Sequence, residues 1–481
     1  MIQALDSLSV TLLWVALPFF AGFLLYLIPK IDRALAISVA LISLGYGLQR
    51  MFAPLPLEAQ LLDHFGVTLL VDELSGYFIL TNALVTTAVI LYCWHQGKTA
   101  FFYAQAIILH GSVNAVFVCA DFISLYVALE VVGIAAFLLI AYPRTNRSIW
   151  VGLRYLFVSN TAMLFYLIGA VLVYQASHSF AYTGLWAAPT EAVALIFLGL
   201  LTKGGIFVSG LWLPLTHSES ETPVSALLSG VVVKTGIFPL VRYALMIEEI
   251  DPIVRIFGVA TALLGVGYAV FEKDTKRMLA FHTVSQLGFV LAAPEVGGFY
   301  ALTHGLVKSA LFMGAGNLPS RSFKTLRQQP IPTPLWIALA VASFSISGFP
   351  LLSGFGAKVL TMKNLVPWQV IGMNVAALGT AISFAKFIFL PHGGSGVVKP
   401  GFWSAMALLL GGLVLANGVY YEAYTLSNVV KPLVTIGLGW LAYCLIFQRV
   451  TLKLSQAIEK FDHLIGVMSV MLTVLFWMVL A

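Results

Sequence analysis

An all-α fold that crosses a membrane many times is what this sequence predicts, and three observations predict it. Of 481 residues, 60% are apolar and only 10% charged, with a mean hydropathy of +0.95; a soluble domain is about 45–50% apolar and about 25% charged. The apolar residues gather into runs of roughly 20, the length at which a helix spans a bilayer. Lys and Arg collect in alternate loops between those runs, the asymmetry that marks cytoplasmic loops. A soluble enzyme is thereby excluded. The net charge of +6 is small and spread among loops, so no basic run is offered to nucleic acid. Cys93, Cys119 and Cys444 lie in apolar runs and make neither a disulfide framework nor a CxxC pair. No metal site and no cofactor motif is expected.

Met1 to Val10 carries Asp6 and no Lys or Arg, which does not make a cleavable signal. The run from Thr11 to Ile28, stopped by Lys30, Asp32 and Arg33, reads as the first membrane helix. Cutting the chain at charges, Pro/Gly clusters and Asn predicts helices over 11–28, 34–49, 73–93, 101–119, 122–142, 150–174, 192–213, 224–246, 253–271, 277–293, 296–317, 333–365, 367–390, 402–420, 432–448 and 463–480, or 14–16 spans. In Thr451 to Leu464, Leu452, Leu454, Ile458 and Phe461 fall at helical spacing, with Lys453, Glu459 and Lys460 elsewhere, so a short interfacial helix is expected there. Four regions follow: residues 1–100 with three helices, two groups of five helices in 101–246 and 253–390, and the C-terminal helices in 402–481.

Loop charge fits this count. One set of loops carries Lys30 and Arg33; Lys98; Arg144 and Arg147; Lys273, Lys276 and Arg277; Arg321, Lys324 and Arg327; Lys399; and Arg449, Lys453 and Lys460. The loops between them carry Glu58, Asp63 and Asp72; Asp121; Glu191; Glu248, Glu249 and Asp251; Glu295; and Glu422. The first set is expected in the cytoplasm and both termini outside it. The chain is expected in a bacterial inner membrane.

Charge at the centre of a bilayer is costly and faces the bundle interior, a partner or water. Glu130 interrupts the apolar run from Phe122 to Tyr142. Lys203 precedes Gly204 and Gly205, and Lys234 precedes Thr235 and Gly236. His304 and Lys308 share a helix face at i, i+4. Lys358 follows Gly348, Pro350, Gly354 and Gly356, and Lys386 lies in Ile382 to Ile388. Interrupted helices at matching places in two halves point to an ion pathway. The Lys203 and Lys358 breaks are five helices apart, and each is followed by a helix with another lysine. Two inverted five-helix repeats are therefore expected, with the seventh and twelfth helices broken. A nearby carboxylate favours a charged lysine, so a Glu130–Lys203 pair would hold a proton when closed and release it toward Lys234 when open. His304 can take either charge state near neutral pH, which suits an intermediate station.

Plainer readings compete. Lys386, six residues before His392, is as well placed to snorkel to headgroups as to relay. Lys308 is open to a packing or ion-pair role. Arg154 and Asp121 read as boundary residues. His217, His282, Glu219 and Glu221 fall at or near loops, where solvated polar residues are the default and a relay entrance, at His217, is the alternative.

The residues also resemble a known family. Val71-Asp-Glu-Leu-Ser75, Asp121-Phe122 with Glu130, and Trp212-Leu-Pro214 with His217 are similar to motifs of the antiporter-like subunits shared by Mrp-type multisubunit Na⁺/H⁺ antiporters, respiratory complex I and membrane-bound hydrogenases. So are Thr222 to Ser229 up to Lys234-Thr-Gly236, Asp274-Thr-Lys-Arg277 with Ala280 and Ser285-Gln-Leu-Gly288, His304-Gly-Leu-Val-Lys308-Ser-Ala-Leu-Phe312, and Gly348-Phe-Pro350 with Ser353-Gly-Phe355 and Lys358. The resemblance spans roughly residues 70 to 390. It implies a proton relay: Glu130 paired with Lys203, Lys234 at the centre, His304 and Lys308 continuing, and Lys358 on the exit side. Leu215-Thr216 departs from the usual Asp-Ala, Ser218-Glu-Ser-Glu221 from an Ala/Pro-rich loop, and the fifteenth and sixteenth helices exceed the family's fourteen.

The resemblance implies a proton-translocating subunit of a cation/proton antiporter, nearest to an Mrp D-like subunit, with other membrane subunits as partners and any Na⁺ path in a sister subunit. The same machinery in a redox-driven dehydrogenase, a hydrogenase or a CO₂/bicarbonate uptake complex is the alternative, and a non-conducting scaffold is an alternative of another class. The intact Glu130, Lys203, Lys234 and Lys358 set argues against the scaffold. With no nucleotide, flavin or cluster motif, redox chemistry would belong to partners, and the chain is expected to be no enzyme itself.

Overall fold

The computed structural model describes residues 2–62, 66–450, 452, 454 and 459–480. Much of the interfacial segment read over 451–464 lies outside these residues. The helices are α1 (Ile2–Leu27), α2 (Asp32–Met51), α3 (Glu73–Cys93), α4 (Ala100–Val116), α5 (Phe122–Ile140), α6 (Asn146–Ser177), α7 (Thr190–Gly204), α8 (Leu213–Glu219), α9 (Thr222–Leu227) and α10 (Lys234–Met246). They continue as α11 (Asp251–Phe271), α12 (Thr275–Ala292), α13 (Gly297–Ala315), α14 (Phe323–Leu326), α15 (Thr333–Ser347), α16 (Ser353–Lys363), α17 (Gln369–Ile388), α18 (Phe402–Ala416), α19 (Leu426–Ala442) and α20 (Phe461–Leu480).

Each of the sixteen predicted segments holds a helix. Among the described residues, 11 helices are long and apolar enough to cross a membrane, or 12 if the bent pair Thr190–Gly204 and Phe207–Glu219 is one span. The shortfall against 14–16 has two causes. Helices α4 and α15 are short, and α12 and α13 carry the polar groups of the interior. Helix α13 is buried along its whole length, as are α9 and most of α10. These form the axis of the molecule, and α1, α2 and α18 to α20 lie at its margin, largely exposed to the bilayer.

The fold is not purely helical. Strands β1 (Leu57–Leu62) and β2 (Gly66–Val71) form an antiparallel hairpin between α2 and α3. Its second strand continues onto residues 118–120: Leu70 N–H donates to the Val118 carbonyl at 2.9 Å and Ala120 N–H to the Thr68 carbonyl at 2.8 Å. Asp121 caps α5, accepting from Ser124 N–H at 2.7 Å and Thr68 N–H at 2.8 Å. The boundary role read for Asp121 from the sequence is thus a helix cap that also anchors the hairpin.

Loop charges segregate to the two ends, in the two sets that the alternation separates. At one end Glu221 pairs with Lys98 at 2.7 Å, and Glu219 with Arg147 at 3.2 Å and Arg321 at 3.4 Å. At the other, Arg255 joins Asp251, at 2.6 Å, to Glu295, and Arg242 grips Asp72. Burial works against the charge of Asp72, but the hydrogen bonds and charge of Arg242, with the Ser75 amide, hold its carboxyl below the ordinary range.

That pair ties the start of α3 to α10. A depressed carboxyl contributes stability above its unfolded value of about 4, and loses it as pH falls through the folded value. Arg242→Ala is expected to cost about 2–3 kcal/mol, part of the full penalty for a buried pair because Asp72 is partly exposed. A lower melting temperature with a flattened acid limb in a pH series checks this.

Candidate proton relay

The site begins at the break in α7. Gly205 adopts φ +73°, where a side chain would strain the backbone. The chain closes there with Gly205 N–H on the Thr202 carbonyl at 3.2 Å and Ile206 N–H on the Leu201 carbonyl at 2.9 Å, a Schellman stop. The break after α15 repeats it: Gly348 has φ +86°, its N–H meets the Ser345 carbonyl at 3.0 Å, and Phe349 N–H meets the Phe344 carbonyl at 3.0 Å. Freed backbone is satisfied internally, as a membrane interior requires: Phe207 N–H donates to Thr261 Oγ1 of α11 at 3.1 Å.

Lys203 stands just before the first break, buried. Its ammonium donates to the Leu129 carbonyl at 2.9 Å and to Ser159 Oγ at 2.6 Å, over Gly133, where a Cβ would stand 3.1 Å away. The expected Glu130–Lys203 ion pair is absent among the described residues. The two groups are close enough to feel each other's charge, yet Glu130 Oε1 has no hydrogen-bond partner. The ammonium sits on α5 beside the carboxylate, which matches the open form of that pair.

Lys234 begins α10 directly after a π-turn, Leu228–Val232. Such turns recur at functional sites because they redirect one side chain without ending the helix. Here the turn and two glycines bring α9 and α10 against α13. A Cβ on Gly305 would lie 2.4 Å from Thr81 Cγ2 and 3.1 Å from the Gly230 carbonyl. At this closeness Lys234 Nζ lies 3.3 Å from His304 Nδ1 and 3.4 Å from the Ser229 carbonyl.

Beyond His304 a cavity of about 10 Å³, the room of about one water, is lined by His304, Gln286, Tyr300, Ser345 and Lys358. His304 Nε2, Ser345 Oγ and Lys358 Nζ are buried without hydrogen-bond partners. Lys358 lays its stem across Gly348, whose Cβ would meet Lys358 Cδ at 2.9 Å, and its ammonium faces the Phe289 ring at 5.4 Å.

The linear order expected from the sequence becomes a fork. His304 borders both Lys234 and, through the cavity, Lys358. Lys308, one turn on, turns away and donates to the Leu279 carbonyl of α12. Near it lie His217 and His282, both fully buried with both ring nitrogens unpartnered. The loop-side, solvated reading of these histidines is corrected: α8 folds back into the bundle and α12 starts earlier than expected, so both rings lie in the core. Lys276, assigned to a loop, is also buried, donating to the Ser220 carbonyl at 2.9 Å and Ser225 Oγ at 3.3 Å. Only tertiary packing places these three. Lys386 donates to the Ala269 and Glu272 carbonyls at 3.0 and 2.8 Å, closing the C-terminus of α11. No cluster of His, Cys, Asp or Glu able to hold a metal ion occurs among the described residues.

Broken helices, buried lysines and a helical bundle define an ion-translocating membrane subunit. The family model described as NADH:quinone oxidoreductase/Mrp antiporter, TM, matches residues 119–383, more than half of the chain. The chain belongs to that family. It is 29% identical over 366 residues to an NADH-quinone oxidoreductase subunit N of Desulforudis audaxviator, covering 67% of this chain and 72% of that one. It is 26% identical over 325 residues to the D-type subunit of a Na⁺/H⁺ antiporter from Alkalihalophilus pseudofirmus, covering 61% and 66%. Its fold matches a chain of the Mrp complex from Dietzia at a TM-score of 0.73 and 20% identity, covering 95% of this chain and 99% of that one. Relatives and neighbours alike are subunits of multisubunit membrane complexes, and the chain is a polytopic integral membrane protein of the proton-translocating, antiporter-like class.

The glycine contact sets the Lys234–His304 distance. Gly305→Ala is expected to push α13 from α3 and α9 and to slow translocation about 100-fold, the cost of a misplacement near 1 Å. Thr81→Ser, which removes the clashing methyl, should restore much of the rate in the double variant. Translocation assays on the assembled complex check both.

Proposed function

We propose that this chain carries protons through a multisubunit cation/proton antiporter of the Mrp type, along Glu130, Lys203, Lys234, His304 and Lys358, with Lys308 and His217 on a branch toward the end that holds Glu219. The observation that carries this reading is the succession at the centre: Lys234 Nζ 3.3 Å from His304 Nδ1, then one cavity shared by His304 and Lys358. Each neighbour can give a proton to the next, directly or through one water, and the fully buried surroundings keep the proton from leaking sideways. The two Schellman stops support a five-helix repeat in 101–246 and 253–390, with Lys203 before one break and Lys358 after the other.

Carboxylates are few along this path, and a Na⁺ site asks for several oxygen ligands. Protons are therefore the cargo here, and any Na⁺ path lies in a sister subunit. The short chain and its loop chemistry favour the Mrp type. The 29% identity to a complex I subunit N supports a second reading, the same relay driven by a redox partner. Lys386, bound to the end of α11, is a helix-closing residue in both.

Lys203→Ala in the assembled complex is expected to lower proton translocation by about 100-fold, within the usual range for removing a proton-transfer group, while assembly is kept. Full translocation in that variant overturns the relay. Mass spectrometry of what co-purifies separates the parents: antiporter-like chains without a redox subunit for the first, flavin or iron–sulfur subunits for the second.

A further inference from the structure

Lys358 stands between two cavities. Inward lies the small one shared with His304. Outward, a cleft of about 320 Å³ opens between α16, α17 and α19. Its polar wall is Lys358 and Ser347, Asn374 from α17, and Asn428, Lys431 and Thr435 from α19, with Lys363 at the rim. The Lys358 ammonium is only 6% exposed and has no hydrogen-bond partner, so it forms the floor of this cleft as an unpaired donor.

The wall is suited to water. Ser347 and Thr435 spend their hydroxyl hydrogens on carbonyls of their own helices, at 2.7 and 3.0 Å, and Asn374 spends an amide hydrogen at 2.8 Å. Their oxygens are left as acceptors for incoming donors. A water needs about 10–15 Å³, so the cleft has room for a file of them. A polar wall of this extent facing lipid tails would be costly. The rim lies at the end of the molecule that carries Asp251, Glu295 and Tyr420, the end that loop charge assigns to the non-cytoplasmic side: Lys363 donates to Tyr420 Oη at 3.0 Å.

We propose that this cleft is the outer half-channel of the proton path, with α19 as its functional wall; the inference rests on the relay reading of Lys358. The Lys358 ammonium gives a proton to a water in the cleft, leaving a neutral amine and a hydronium ion that passes its proton along the file to the surface. The amine takes its next proton from the inner cavity. Three lysines and no carboxylate line the cleft, a field that repels Na⁺ and K⁺. This mouth therefore passes protons along water and excludes metal cations.

The test uses the assembled complex in sealed vesicles, with Cys444, which is exposed, changed by Cys444→Ser; Cys93 and Cys119 are buried. Thr435→Cys or Asn374→Cys is treated from the outer side with a membrane-impermeant, positively charged methanethiosulfonate. Each variant is its own reference before reagent. The expected result is modification from the outer side and a fall in translocation of at least about tenfold, from a fixed charge placed on the path. Val434→Cys, next to Thr435 but 53% exposed on the other face of α19, should show no fall. Complete modification of Thr435→Cys with an unchanged rate overturns the proposal, as does no reaction from the outer side, the result for a cleft filled by lipid. Lys358→Ala is measured alongside. Full translocation in that variant sinks the relay reading, whereas its loss beside an indifferent Thr435→Cys sinks only the half-channel.

Discussion

Everything distinctive in this molecule follows from keeping lysine ammonium groups inside a bilayer-spanning bundle without a carboxylate in contact. Lys203, Lys234, Lys308 and Lys358 are all buried, and none makes an ion pair among the described residues. Buried charge normally demands a counter-ion. Here the partners are backbone carbonyls, a serine, a histidine and an aromatic face. Such partners hold a proton without locking it, because each can be released for little cost compared with a closed ion pair.

The fold serves that constraint. Ending α7 and α15 inside the bundle exposes backbone that would be intolerable against lipid, and the surrounding helices absorb it. Gly230 and Gly305 let α9 and α13 touch, and the π-turn aims Lys234 across that contact. The carboxylates are kept to the ends, where Asp72, Asp251, Glu219 and Glu221 tie loops to helices through arginine and lysine.

Much of this was legible in the sequence, because intramembrane charge is rare enough to stand out. Glu130, Lys203, Lys234, His304, Lys308 and Lys358 could be found from hydropathy alone, and the glycines beside two of them marked the breaks. Other features depend on packing that no local pattern reports. His217 and His282 sit near helix ends in sequence, and only the fold-back of α8 and the early start of α12 bury them. The hairpin between α2 and α3 gains its stability from residues 118–120, some fifty positions away. The separation of Glu130 from Lys203 is set by where Ser159 of α6 stands. The fork at α13 arises because residues one turn apart meet different neighbours.

The central claim is that Lys234 passes protons and is more than a fixed positive charge. Arginine keeps the charge but does not deprotonate in proteins. Proton translocation by the assembled complex carrying Lys234→Arg is therefore the most direct measurement. The account predicts a loss as complete as that of Lys234→Ala, with the complex intact. Translocation near the unmodified rate in Lys234→Arg would contradict it, leaving Lys234 as a structural cation.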